Sequence, residues 1–350
     1  MWVKNMAGIE RRRVQRTGSS SYIITLPKEW VEAVNLKSGD YVLVEKHGNK
    51  LIVIPPSIEP SHLKITIKVH PTVTDVMQVF RSILGAYISG YNIITVIFDK
   101  AIQDLAKYMS DIKNMVRIKL PGIEVIEETY NSVTLKVLLN MQELPLMSAI
   151  RRLHLIVNSM LQDCINMLKF NDLNLAHIII QRDDEADRFH HMVVRELSMA
   201  LLDVRVQHEL GIINITEVLS YRIIARNLER VADHAVAIAK RVLAVSGLKN
   251  SSLVNDLLLK VTELLNRSMD SLYSYSRREA EEVIAISRKI VDEIDDMLYN
   301  KVIAEPIEIK DKVATTLILD SIKRIARYSS SIAEAVLNIK IAKTTELDIK

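Results

Sequence analysis

The sequence predicts a multidomain, mainly α-helical protein in which a small β unit and a small α/β domain precede two tandem three-helix bundles. Three observations predict it. At 350 residues the chain exceeds what one ordinary core organises. Its 49% hydrophobic content comes from Ile, Leu, Val and Ala, with only four Phe and two Trp, which suits helix packing better than a barrel or sandwich. Proline interrupts helix and sheet interiors alike, and none occurs between Pro145 and Pro306.

Residues 1–58 read as short strands at Tyr22 to Leu26, Tyr41 to Lys46 and Leu51 to Ile54, with a turn at His47, Gly48 and Asn49. Pro27 can occupy the first turn of a short helix running to Val34, and Ser38, Gly39 and Asp40 form the next turn. So small a unit buries little surface alone, which predicts a homodimer through this domain. Pro55, Pro56 and Pro60 mark the joint that follows.

Residues 62–145 alternate strand and helix: Lys64 to Val69 extended, Thr74 to Tyr87 helical, Ile93 to Phe98 extended, and Ala101 to Met115 helical. Two strands, Ile123 to Glu128 and Val133 to Leu138, complete a small α/β sandwich.

From 146 onward the pattern is helical, in six segments near 146–169, 173–203, 215–246, 250–275, 277–303 and 308–341. Ile224, Leu228, Val231, Ala235, Ile238, Val242 and Val245 recur at steps of four and three, a heptad seam that must pack on other helices. The run Leu228-Glu229-Arg230-Val231-Ala232-Asp233 aligns with Ile322-Lys323-Arg324-Ile325-Ala326-Arg327, and Asp184-Glu185-Ala186-Asp187 echoes Asp292-Glu293-Ile294-Asp295. Three helices are thus used twice, over 146–248 and 249–350.

The acids on two of these helices form the first candidate site. Asp183, Asp187 and His190 or His191 line one stripe, beside Asp184, and Glu229 and Asp233 line another, both off the apolar seam. Clustered carboxylates repel one another unless a cation or proton intervenes, and hard oxygen donors suit iron, zinc, magnesium or manganese. The alternative is a solvated face with Arg182, Arg188, Arg226 and Arg230 as intrahelical partners. In the second copy Lys323 and Arg327 replace Glu229 and Asp233, so ion pairs to Asp292 and Asp295 are expected there instead of a metal. Lys323, Arg324 and Arg327 also admit an anion-binding reading, weaker than the salt-bridge one.

The second candidate site is basic. The whole chain carries +3, yet in its first 28 residues Lys4, Arg11, Arg12, Arg13, Arg16 and Lys28 oppose only Glu10, six charges against one. Arg11, Arg12, Arg13, Arg16 and Lys28, with Thr17 and the serines after it, could grip nucleic-acid phosphates; a flexible solvated terminus is the alternative.

Other chemistry finds no signal. Cys164 is the only cysteine, which rules out an intrachain disulfide or a Cys-based metal cluster and fits a reducing cytoplasm. No uncharged apolar run has the length of a membrane span and no secretory signal opens the chain, so an integral membrane protein is not expected. Phosphate-loop and dinucleotide fingerprints are absent, and no His and Asp accompany the serines at 19–21. His154, His177 and His208 read as structural. No enzyme is expected.

The run from Arg226 through His234 to Ala235 closely resembles the signature of PhoU proteins, and Asp183-Asp184-Glu185-Ala186-Asp187-Arg188 resembles their preceding acidic helix. The stretch from Arg12 to Val44, with Leu26-Pro27-Lys28-Glu29-Trp30 and Leu36-Lys37-Ser38-Gly39-Asp40, looks like the AbrB/MazE swapped-hairpin DNA-binding domain. Their fusion resembles the arrangement of archaeal PhoU-like phosphate-uptake regulators. The resemblance implies two PhoU bundles behind a swapped-hairpin β domain, transcriptional control of phosphate homeostasis through DNA, and multinuclear iron or zinc at the acidic motifs. It also implies a second reading, an adaptor docking on a phosphate ABC transporter or kinase with the β domain serving only to dimerise. A toxin–antitoxin type of contact through the β domain is a third.

Overall fold

A computed structural model describes residues 10–47, 49–55, 63–139, 145–248, 251–302, 304, 306 and 308–344. Lys4, Gly48, Pro56 and Pro60, which figure in the reading above, lie outside them. The chain divides into two compact units, Met1–His62 and Leu63–Lys350.

The first unit is two hairpins and a helical turn. Strands β1 (Gln15–Thr17) and β2 (Ser21–Ile23) pair antiparallel with Gln15 opposite Ile23. Between them Gly18 takes φ +63°, a conformation that suits a residue without a Cβ. Helix α1 (Lys28–Ala33) follows, with Pro27 as its N-cap instead of its first turn. Strands β3 (Leu43–His47) and β4 (Lys50–Ile54) pair with Leu43 opposite Ile54. No described residue before Pro55 is buried in this unit. Apolar side chains that would form a core instead face outward: Val14, Tyr22, Ile24, Leu43 and Leu51 are all more than half exposed.

The second unit begins with a four-stranded sheet in the order β5 (Lys64–Val69), β6 (Ile93–Phe98), β8 (Ser132–Val137), β7 (Ile123–Thr129). Strands β5 and β6 are parallel, joined through helix α2 (Val76–Ile88), while β7 and β8 form an antiparallel hairpin after helix α3 (Leu105–Lys119). Ile94, Val96 and Phe98 alternate into the core against Phe80, Ile83 and Tyr87 of α2 and Ile112 and Val116 of α3. Helix α3 differs from expectation at both ends. Asp99 accepts from the Ala101 backbone N–H at 2.9 Å, and Asp104 sits in the left-handed region at φ +49°, so turn geometry delays the helix to Leu105. It then runs four residues beyond Met115, which carries Lys119 to its last turn.

The helices are α4 (Leu146–Phe170), α5 (Asn174–Leu202), a short α6 (Val204–Glu209), α7 (Glu217–Ala244), α8 (Ser251–Ser274), α9 (Arg277–Met297) and α10 (Ile309–Ala342). A π-helical turn, Leu298–Val302, extends α9. The α6 helix has no counterpart in the sequence reading. The expected seam holds as far as Val242: Ile224, Leu228, Val231, Ala235, Ile238 and Val242 are buried, in one continuous core that spans both copies, while Val245 is the C-cap of α7 and only partly buried; α7 packs along α10. After α7 the chain turns at Gly247, φ +104°, whose N–H reaches back to the Val242 carbonyl at 3.1 Å. A Cβ there would run into Asn171.

The α/β layer and the helices belong to one compact unit because α5 grips the C-terminal ends of α2 and α3. Arg195, 3% exposed, donates to the carbonyls of Tyr87 (2.5 Å), Tyr91 (2.9 Å) and Gly90 (3.3 Å) and to Asn92 Oδ1 (2.5 Å). Arg188 donates to the carbonyls of Arg117 (2.9 Å) and Ile118 (3.0 Å), and His191 Nδ1 to that of Lys119 (3.2 Å). Carbonyls that a helix terminus leaves unpaired thus receive donors from another element. Gly90, φ +93°, lets the chain pass beneath this contact, since a Cβ would lie 2.6 Å from Met199 Sδ.

Candidate functional site

Helices α5 and α7 pack directly on each other and bring the two acidic stripes together. Burial, then the charges of Asp187 and Asp233, raise the Asp183 carboxyl to about 6. Burial, then Asp233, push Glu229 up to about 7 against the opposing pull of Arg226, and Asp233 is raised by burial and Asp187. Each of these carboxyls feels another across the helix pair, which is the juxtaposition the sequence predicts.

The partners differ from both sequence alternatives. Lys119, from the end of α3, places Nζ 2.8 Å from Asp184 Oδ1 and 3.0 Å from Asp187 Oδ2. Burial works against its charge, but the hydrogen bonds it donates to the two acids, with their charges, outweigh it, so its affinity for a proton rises. Of the four arginines expected as intrahelical partners, only Arg226 acts as one, donating to Glu229 Oε1 at 2.6 Å. Arg182 pairs with Asp163 of α4 at 2.5 Å, Arg188 caps α3, and Arg230 reaches the Tyr328 hydroxyl at 3.4 Å. The histidines do not join the acids. His190 is buried and accepts from Arg222 at 3.2 Å, and His191 bonds to the Lys119 carbonyl.

A hard cation fits this donor set in chemistry: oxygen donors that repel one another, with Glu229 Oε2 buried and lacking a hydrogen-bond partner. It does not fit in spacing. Among the described residues no three His, Cys, Asp or Glu side chains converge closely enough to hold a metal ion. The ammonium of Lys119 holds Asp184 and Asp187 in its place.

In the second copy Lys323 pairs with Asp295, as expected, whereas Arg327 forms no ion pair with Asp292 and Arg324 turns to Asp320 at 2.9 Å. Lys119 and Arg195 went unread in the sequence. A charged Arg195-Glu196 pair inside the apolar run Met192-Val193-Val194-Leu197, and basic residues closing α3, were the available signals.

The basic candidates lie in the first unit. Arg11, Arg12, Arg13 and Arg16 are exposed along the segment entering β1 and within it, with Arg12 paired to Glu10 and Arg16 donating to the Ser19 carbonyl at 2.5 Å. Lys28 opens α1, 3.6 Å from Glu32 on an exposed surface. A cavity of about 540 Å³ in this unit is lined by Ile24, Leu26, Pro27, Trp30 and Val53 together with Glu10 and Arg12. Among the described residues no helix is long and apolar enough to cross a membrane.

The comparisons with known proteins agree with this division. Residues 15–61 match the family described as antidote-toxin recognition MazE, bacterial antitoxin. A phosphate-specific transport system accessory protein PhoU homolog from Clostridium acetobutylicum is 24% identical over 213 residues, covering 57% of this chain and 93% of that protein. Crystal structures of the phosphate transport system regulatory protein PhoU from Streptococcus pneumoniae (20% identity, TM-score 0.46, 58% of this chain and 96% of that one) and of PhoU from Pseudomonas aeruginosa (17%, 0.44, 55% and 94%) are also similar. The PhoU domain itself matches twice, at residues 150–242 and 254–336, about half of the chain, and the protein is therefore a member of the PhoU domain family.

Proposed function

We propose that this protein is a dimeric, DNA-binding transcriptional regulator of phosphate uptake, a cytoplasmic regulator of the archaeal PhoU-like type and not an enzyme. One observation carries the proposal: the first unit presents apolar side chains outward from all four of its strands or the segments beside them, and the exposed segment that carries Arg11, Arg12, Arg13 and Arg16 belongs to the same unit. Val14, Tyr22 and Leu43, at 60%, 70% and 63% exposure, are the residues a second copy would cover, and the Trp30-lined cavity is a second apolar surface of this kind. Two copies then present two arginine segments to one duplex.

Contact through about four arginines per protomer gives a log–log salt dependence of affinity near minus seven, from roughly 0.9 per neutralised phosphate. Anisotropy titrations of a genomic operator fragment over a salt series measure that slope. Replacing Arg11, Arg12 and Arg13 by Ala should cut it to less than half; an unchanged slope would remove these residues from the interface.

In this reading the helical region senses state. Iron or zinc, alternatively magnesium or manganese, is the ligand proposed for Asp183, Asp187, Glu229 and Asp233 with Asp184 at the edge, and binding would require these carboxylates to draw closer than they stand as well as the displacement of Lys119. A second reading, an adaptor for phosphate transporter components, is favoured by the transport-system name of the Clostridium relative and by Leu201 and Leu202 at the end of α5, Ile213 on the connection and Leu219 at the start of α7, all at least 60% exposed. Recovery of a membrane partner in pull-downs, alongside DNA retardation independent of sequence, would favour the adaptor.

A further inference from the structure

The stripe of α7 that bears Glu229 and Asp233 changes sign toward its N-terminus. Arg222 and Arg226 stand one turn apart, and Glu229 and Asp233 continue the same i, i+4, i+7, i+11 line. The two arginines line a cavity of about 500 Å³ with Ile223, Asn227 and Ser331, the last from α10 of the second copy. Hence this cavity is shared by the two copies, unlike the acidic cluster, which belongs to the first.

Three features fit the cavity for an anion. Arg226 has a carboxylate partner in Glu229, but Arg222 has none at ion-pairing distance among the described residues. Its contact is the His190 ring, which accepts at Nε2; burial, together with the charges of His191, Arg222 and Arg226, holds His190 down to about 3, so the ring orients the guanidinium without neutralising it. Asn227 lines the same cavity, is only 8% exposed, and its Nδ2 finds no acceptor. A buried amide donor without a partner costs about 1–3 kcal/mol. A rotation of this amide toward the cavity would let an oxyanion oxygen satisfy it.

We propose that the cavity bounded by Arg222, Arg226, Asn227 and Ser331 binds a phosphate-class oxyanion, either free or as the terminus of a small phosphate ester. The two planar guanidiniums are donors only, the amide and the hydroxyl can each donate as well, and a tetrahedral oxyanion offers acceptors in every direction. The Glu229 carboxylate lies on the other side of Arg226 and opposes entry, which makes Arg222 the principal electrostatic contact. This assignment rests on the regulatory reading in taking the anion as the signal, since the site joins the helix of the acidic cluster to the second copy.

The test uses the full chain. Inorganic phosphate and glycerol phosphate are titrated calorimetrically at constant ionic strength, with sulfate as the reference anion, and ³¹P line broadening provides an independent readout. Arg222→Gln should weaken phosphate binding about tenfold or more, the loss of one charge-assisted hydrogen-bonded contact. Ser331→Asp, which places a negative charge at the rim without altering α7, should weaken it comparably, and Lys323→Gln in the second copy should leave it unchanged. Stronger binding of the ester than of phosphate identifies the ester as the ligand. The proposal is overturned if the wild type binds neither anion at millimolar concentration, if sulfate binds as well as phosphate, or if Arg222→Gln and Ser331→Asp bind like the wild type. Operator anisotropy on the same samples separates the two readings: phosphate binding without operator binding sinks the regulator and keeps the site, and the reverse sinks the site alone.

Discussion

The two copies of the three-helix unit solve one electrostatic problem differently. In the second, Lys323 on α10 meets Asp295 on α9, so charge compensation is local and fixed by the scaffold. In the first, α5 and α7 both contribute acids, and the compensating ammonium of Lys119 comes from α3 of the α/β layer, 68 residues from Asp187 in sequence. Duplicated helices thus share a core but not a charge plan. Compensation in the first copy therefore depends on the α/β layer, whereas in the second it depends on the bundle's own helices.

The largest effect that would break this comparison lies at the clamp between the layers. Arg195→Met removes four hydrogen bonds from a buried guanidinium and takes this donor from the Gly90 and Tyr91 carbonyls just past α2. A loss of about 3 kcal/mol is expected. Urea unfolding should show it as a lower midpoint, with the α/β layer melting first by hydrogen exchange. An unchanged midpoint would mean that the layer is held by other contacts.

Next in size is the pH response of the first copy. Asp183 is raised to about 6 and Glu229 to about 7 from ordinary carboxylate values, so between about pH 4 and 7 the folded chain binds more protons than the unfolded one. Their contribution to stability is therefore fully present below pH 4 and is lost as pH rises through 6 and 7. Asp183→Asn should flatten this slope and stabilise the protein at pH 8 by on the order of 1 kcal/mol after allowing for partial exposure. A variant that unfolds with the wild-type pH profile would contradict the assigned burial.

The smallest stability effects, about 0.5 kcal/mol or less, are expected at the half-exposed ion pairs themselves, and there metal content is the sharper readout. Lys119→Ala should increase the iron or zinc retained by the purified protein, Asp187→Ala and Asp233→Ala should decrease it, and Asp295→Ala and Lys323→Ala should leave it alone. Equal content in all five by elemental analysis would erase the asymmetry between the copies.

Most of the helical architecture was legible because the spacing of apolar residues survives in a single sequence. The seam from Ile224 to Val242 is buried as its heptads require, and α4, α5, α7, α8 and α10 begin and end within a few residues of expectation, whereas α9 stops at Met297 and reaches its expected end only through the π-helical turn. Local turn chemistry was harder to read. Helix α3 looked as though it began at Ala101, yet Asp99 and the left-handed Asp104 hold the chain in turns up to Leu105. Strand β1, Gln-Arg-Thr, has no apolar alternation to reveal it. The candidate acids were legible as stripes, but Lys119, Arg188 and Arg195 act across layers, and no periodicity within one helix encodes a partner on another.

Helix α5 presents Asp184, Asp187, Arg188, His191 and Arg195 along one line, each engaged with the α/β layer. A single inserted or deleted residue between Asp187 and Arg195 would rotate one end of that line by about 100° relative to the other, since a helix has 3.6 residues per turn. The length of this segment is consequently constrained by the layer it faces: a change of one residue would part half of these contacts from the other half.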